Sequence, residues 1–295
     1  MVLSLVITEN LQMLLAVRNL GLEAGFTSPN YSVNFFDFGN ETSNPNQIDE
    51  DNFNLDYNRV KISSIAFKPS LVRIGTYGTK FKIGASYESL EVEETSDRFI
   101  NVFYNQTEIE NENQFLGVDA EFSYENQDNK AFPTIGMELS IKGGYKSNGF
   151  GFLIPSLGFD YKLVSSGQLV LATKFKGNIL FGDDFEFYQA ASLGANDGLR
   201  GYRNQRFTGK SSFYQSTDLR LNLRKVKTGL LPLHIGVYGG VDYGRVWFSG
   251  EDSDKWHNSY GGGVFANAAD IITLQVSLFT AAEGVRFSFG LGFGF

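Results

Sequence analysis

The chain of 295 residues has no cysteine, only two histidines, His234 and His257, and only two tryptophans. Without cysteine there is neither a disulfide framework nor a thiolate nucleophile. The two histidines lie far apart in sequence, and no His, Asp or Glu spacing suits a metal ion. Glu251-Asp252-Ser253-Asp254 lacks the glycine and terminal glutamate of a calcium loop and reads as a solvated acidic loop tip. No glycine-rich turn lies between a strand pattern and a helix pattern, so the glycines are not a phosphate cradle. Basic residues are in deficit, 25 Lys and Arg against 33 Asp and Glu, and this net charge of -8 argues against nucleic acid as a partner. Long apolar runs are missing as well. The densest, Leu230 to Val241, is broken by Pro232, His234 and several glycines, and falls well short of the roughly 18 apolar residues that a spanning helix needs. These absences describe a chain that is not an enzyme, has no cofactor and no metal, and does not cross a membrane with helices.

What is abundant is 28 Phe, 14 Tyr and 33 Gly, in a chain whose mean hydropathy is only -0.17. Aromatic residues favour strands, and glycine marks turns or relieves crowding. The apolar residues are spaced two apart. Phe81, Ile83, Ala85 and Tyr87 alternate with Lys80, Lys82, Gly84, Ser86 and Glu88. The same holds for Ile135 to Lys142, for Lys174 to Phe181, for Asp218 to Arg224, for Leu233 to Asp242 and for Ile272 to Leu278. Leu3, Leu5 and Ile7 begin the series, and Tyr31, Val33 and Phe35 mark an early strand. The last residues are the clearest: Phe287, Phe289, Leu291, Phe293 and Phe295 fall on one face, against Arg286, Ser288, Gly290, Gly292 and Gly294. Strands of soluble sandwiches run to about 5 or 6 residues. Several segments here hold their alternation for about ten, the length that crosses a bilayer at a tilt, and carry full charges on the polar face. The fold class expected is all-β, a transmembrane antiparallel β-barrel of about 16 strands at roughly 18 residues for each strand and its connection.

One barrel domain then spans residues 1–295. Gly39 to Asn54 and Glu88 to Arg98 read as outside loops, and Val164 to Gln168 and Ala281 to Gly284 as periplasmic turns. Tyr57, Tyr104, Trp247, Trp256 and Tyr260 suit interfacial aromatic girdles. The segment Met1 to Glu9 has no basic stretch, no long apolar stretch and no small-residue cleavage site, so it does not read as a signal peptide. The lumen-facing glycines of the last strand, Gly290, Gly292 and Gly294, read as packing room for an inserted loop or as a loosely held seam.

The strand pattern is interrupted from about 183 to 210. This stretch contains Leu199-Arg200-Gly201-Tyr202, and two strands later the chain reads Gly240-Val241-Asp242-Tyr243-Gly244. The first resembles the Val-Arg-Gly-Phe/Tyr loop signature of the bacterial surface antigen superfamily, the outer-membrane assembly factors and two-partner secretion transporters. The second is similar to that family's strand motif of an aromatic residue or Gly followed by x-Asp-x-Gly, and the order and spacing agree. The resemblance covers Gly182 to Phe295; before that, barrel periodicity alone supports it. It implies that the loop folds into the lumen and that Arg200 pairs with Asp242. Alternation independently puts Asp242 on the polar face with His234 and Tyr238. Asp218, on the polar face of the preceding strand, is a competing partner.

The resemblance further implies a bacterial outer-membrane location, contact with outer-membrane lipid, and a role in inserting or translocating polypeptides. The polypeptide-binding repeats that precede such barrels are not found in this chain. A second reading makes it the anchor or exit pore of an amino-terminal hydrolase, because the late segment resembles barrels fused to calcineurin-like phosphoesterases. A third makes it a passive porin.

Overall fold

A computed structural model describes residues 2–7, 10–17, 20–27, 30–44, 54, 56–93, 96–104, 112–130, 132–227, 232–269 and 272–292. The strands are β1 (Val2–Ile7), β2 (Asn10–Val17), β3 (Leu20–Thr27), β4 (Asn30–Asn34), β5 (Arg59–Ile74), β6 (Thr79–Val92), β7 (Asn113–Gln127), β8 (Gly136–Lys146), β9 (Gly151–Lys162) and β10 (Leu169–Phe181). Two short strands follow, β11 (Ala191–Leu193) and β12 (Phe207–Gly209), then β13 (Ser211–Lys227), β14 (Pro232–Trp247), β15 (His257–Ala268), β16 (Ile272–Ala281) and β17 (Gly284–Gly292). Each large strand pairs antiparallel with its neighbour in sequence. The order β1-β2-β3-β5-β6-β7-β8-β9-β10-β13-β14-β15-β16-β17 is a single meander, with β4 continuing β3 along β5.

Among the described residues the path holds fourteen strands, with β4 as a fifteenth off it, in keeping with the about 16 strands that the sequence period suggests. β5 and β14 are 16 residues long and β13 is 17, and residues 182–210 build no wall strand. Among the described residues no ladder joins β1 to β17. The sheet nevertheless curls on itself. Asn34 at the end of β4, and Asn40 and Asn44 after it, bond to Gln205, to Val246 on β14 and to Glu283 beyond β16.

The two faces of the wall are inverted relative to a soluble sheet. Outward stand Ile65, Phe67, Ile83, Leu116, Leu219, Val241, Val264 and Leu278. On the last strand, Phe287, Phe289 and Leu291 are 63%, 62% and 67% exposed. Inward and buried are Ser70, Ser86, Asp160, Arg220, Asp242, Ser259, Thr273 and Ser277. A sheet with an exposed greasy face and a buried polar face is stable only where the outside is hydrocarbon, and unpaired backbone groups are excluded there too. Phe293 and Phe295 lie outside the described residues.

The meander fixes which mouth each connection serves. Strands β5 and β6, β7 and β8, β9 and β10, β13 and β14, and β15 and β16 are joined at one mouth, so Val164 to Gln168 is on the short-turn, periplasmic side. Ala281 to Gly284 is not: it lies at the other mouth with the long connections, and Glu283 there bonds to Arg206 and Asn44. Two stretches expected as outside loops begin inside the barrel, while Glu93, Ser96 and Asp97 of the second are exposed at the long-loop mouth. Gly39, Asn40 and Asn44 are buried and bonded inward, while residues 45–53 lie outside the described ones. Glu88 to Val92 completes β6, and Glu88 faces the lumen, paired with Lys146 at 2.8 Å and Lys68 at 2.6 Å. Tyr57 and Tyr104 are not girdle residues: Tyr104 packs on the buried cluster of Val33, Phe35, Ile62, Leu90, Phe115 and Phe187 inside the long-loop mouth, and Tyr57 packs on Phe99 beside it. Trp247, Trp256 and Tyr243 do gather on the outer wall, where Tyr243 stacks on Trp256 at 4.6 Å.

Val264→Arg, in the outward face of β15, should cost about 2–4 kcal/mol if it lies at the bilayer midplane. Its boiling-dependent gel shift after refolding into lipid vesicles should disappear, whereas Ser288→Lys, on the lumen side of β17, should keep it.

Candidate lumen clamp

The connection between β10 and β13 turns inward and is built in layers. After Phe181 it makes one 3-10 turn, Phe187–Gln189, closed by a capping box from Glu186 to Gln189. β11 and β12 then pair as a small hairpin, Ser192 opposite Thr208. Its apolar side chains, Leu193, Leu199, Tyr202 and Phe207, bury themselves against Tyr214 on β13 and Val246 on β14. The tip is Leu199-Arg200-Gly201-Tyr202.

Arg200 is held on three sides. Its Nη2 donates to Asp242 Oδ1 at 2.7 Å, its Nε to Asp242 Oδ1 and Oδ2 at 3.1 Å, and its backbone N–H to Asp242 Oδ2 at 2.9 Å. Nη1 and Nη2 also reach Asp218, at 3.1 and 2.7 Å. The guanidinium carbon stands 4.0 Å from the ring centre of Phe279 on β16. The partners expected to compete, Asp242 and Asp218, thus share the same cation, because a planar guanidinium has enough donors for two forks. Asp242 is 1% exposed, and its oxygens also accept from Ser216 and Ser259, each at 2.7 Å. Burial opposes the charge on Arg200, but the bonds to Asp242 and the charge of Asp218 outweigh it and raise its pKa above the ordinary arginine value.

The motif glycines are spatial requirements. A Cβ on Gly201 would stand 2.8 Å from Ser259 Cβ and 2.9 Å from Ala281 Cβ, because the tip presses on β15 and β16. A Cβ on Gly240 would lie 2.0 Å from Asp218 Oδ1 and 2.7 Å from Arg200 Nη2, so only glycine leaves room for the fork. One on Gly244 would meet the Phe213 carbonyl at 2.8 Å and Leu193 Cδ1 at 3.1 Å. Gly290, by contrast, faces Gln275 and makes no room for the loop. Gly294 lies outside the described residues.

A second clamp carries no signature in the sequence. Arg206 donates to Glu283 at 2.5 Å and to Thr42 Oγ1 and O at 2.5 and 2.6 Å, with its guanidinium 4.8 Å from the rings of both Phe36 and Phe207. Burial lowers its pKa, only partly offset by Glu283. His257 stacks on Phe207 at 3.6 Å, and Glu251 accepts from the backbone of Asn40 and Glu41. Glu251 is therefore a structural acceptor and not a solvated loop tip. Among the described residues no group of three or more His, Asp or Glu is placed to hold a metal ion.

Residues 10–295 match the Omp85 superfamily domain. Among curated proteins, no sequence matches the chain. The fold is similar to that of BamA from Haemophilus ducreyi lacking POTRA domains 1–3, with a TM-score of 0.69 and 15% identity over 96% of this chain and 60% of that one. It is similar also to CdiB from Acinetobacter baumannii (TM-score 0.62, 12% identity, 96% of this chain and 49% of that one) and to CdiB from Escherichia coli (0.61, 10%, 96% and 50%). The chain therefore spans about half to three-fifths of the length of these solved chains.

Arg200→Ala leaves Asp242 buried opposite Asp218 without a cation and should weaken the loop's attachment by about 3–5 kcal/mol. The check is limited proteolysis of the folded barrel, which should cut within 183–210 in the variant while the parent resists. Arg200→Lys keeps the charge but loses the forks and should fall between them.

Proposed function

This chain belongs to the Omp85 superfamily and is an outer-membrane β-barrel, and from that membership we propose that it serves the insertion or translocation of polypeptides at the outer membrane. The observation that carries the reading is the clamped loop. An inward connection held by Arg200 between Asp218 and Asp242 occupies the lumen next to β13–β16. A pore for steady diffusion gains nothing from an internal element anchored by buried charge. A barrel that passes or inserts a chain needs a lumen sealed to ions at rest, and an element whose polar attachments a polypeptide can replace. The partners are unfolded polypeptide and the surrounding lipid.

The loop also gives the wall an uneven character. On the β13–β16 side the lumen is packed. On the β6–β10 side it is lined by charges of both signs, Lys174 with Glu138 at 3.2 Å and Lys146 with Glu88 at 2.8 Å. Such a surface hydrates a passing backbone without holding any one side chain.

The test uses the refolded chain in vesicles and, as probe, an unfolded eight-stranded outer-membrane protein. The chain should speed the probe's insertion over protein-free vesicles, and Arg200→Ala should change that rate. In planar bilayers the parent should conduct poorly or flicker, and Arg200→Ala should conduct more. No acceleration, together with steady high conductance from the parent, would overturn the reading in favour of a porin.

A further inference from the structure

A second piece of chain enters the lumen, and it does so from the opposite mouth. The connection between β7 and β8, described at 128–130 and 132–135, lies on the short-turn side, yet Phe132 and Pro133 are folded inward. Its brace is Asp128, whose carboxylate accepts from the Thr134 N–H at 2.8 Å, the Thr134 hydroxyl at 2.6 Å and the Ile135 N–H at 3.2 Å. Asn129 Oδ1 accepts from the Phe132 N–H at 3.0 Å. These bonds coil the turn and aim Phe132 into the barrel.

Phe132 is only 5% exposed and belongs to a buried cluster with Tyr238, Phe265 and Phe279. Its ring lies 5.1 Å from Phe265 on β15 and 6.3 Å from His234 on β14. Four strands, β9, β10, β13 and β14, stand between β8 and β15 in the sheet, so Phe132 reaches Phe265 only across the lumen. Arg220, on the lumen face of β13, donates to the Pro133 carbonyl at 3.3 Å and pairs with Asp160 on β9, its guanidinium carbon 5.8 Å from the Phe132 ring. The turn is thus held by its own side chains and by β13.

The packing continues upward. Phe265 to Tyr238 and Tyr238 to Phe279 are each 6.5 Å between ring centres, and Phe279 lies beneath Arg200. This aromatic column runs through the β13–β16 half of the lumen from one mouth to the loop tip. Beside it, a chamber of about 830 Å³ lined by Lys80, Glu125, Lys130, Glu138 and Lys174 opens near the same mouth.

We propose that the 128–135 turn is a second plug, with Phe132 as its stopper, closing the β13–β16 half of the lumen from the short-turn side. A chain entering from that side would have to displace Phe132 before it met the loop.

Because the sequence has no cysteine, Ser277→Cys on the lumen face of β16, beside Tyr238, gives a single reporter thiol. In the refolded, heat-modifiable barrel a charged maleimide should label it slowly. Adding Phe132→Ala should speed labelling by at least about tenfold, equivalent to about 1.4 kcal/mol in the closed-to-open equilibrium. Asp128→Ala, which removes the brace and leaves the aromatic cluster whole, should act in the same direction and carries the test if Phe132→Ala loses its heat shift. Unchanged labelling in the folded variants overturns the plug. No substrate enters this measurement, so a failure of the polypeptide-traffic reading would leave its result intact.

Discussion

A sheet whose greasy side faces outward must satisfy its polar side within itself. That inversion governs the rest of this structure. Hydrocarbon outside accepts Phe287, Phe289 and Leu291 at no cost, but it forces every charge inward, where water is limited and each one needs a partner. The lumen answers in two ways. The β5–β10 wall pairs lysines with carboxylates, on adjoining strands for Lys68 with Glu88 and across one intervening strand for Lys146 with Glu88 and Lys174 with Glu138. The β13–β16 wall carries glycine and serine, and receives side chains that come from elsewhere in the chain.

The clamp follows from that second solution. One guanidinium against two carboxylates leaves a net charge of -1 in a poorly hydrated place (+1 from Arg200, -1 each from Asp218 and Asp242). Asp242 also accepts from two serine hydroxyls and a backbone N–H, so its remaining acceptor sites are filled. The face of Phe279 completes the shell around the cation. Lysine could supply the charge but not the planar set of donors. Arg206 repeats the scheme with one carboxylate, a threonine and two rings.

Much of this was legible in the sequence, and the part that was not has a common cause. Period-two alternation is a local property, so the wall strands, the lumen position of Asp242 and the outward Phe residues can be read from neighbours two apart. Arg200 and Asp242 stand 42 positions apart, but each sits in a short recognisable phrase. Arg206 with Thr42, Glu251 with Asn40, and Phe132 with Phe265 join segments with no such phrase, and only the curling of the wall brings them together. A period gives the strand number only within about two, because strands of 16 or 17 residues exceed the average crossing, and the mouth served by Ala281 to Gly284 depends on how many strands separate it from Val164 to Gln168. Among the charged residues, Asp218 was read as a rival of Asp242, because a sequence does not show that one fork can serve both.

Asp242 stands on β14 opposite Ser216 on β13 and Ser259 on β15. A strand displaced by one residue would carry that carboxylate to the lipid side and bring Val241 or Tyr243 into its place. The bonds that Arg200, Ser216 and Ser259 make to Asp242 thus require an alignment that keeps this carboxylate on the lumen face. The ion pair that holds the loop therefore ties the loop's position to the register of the wall around it.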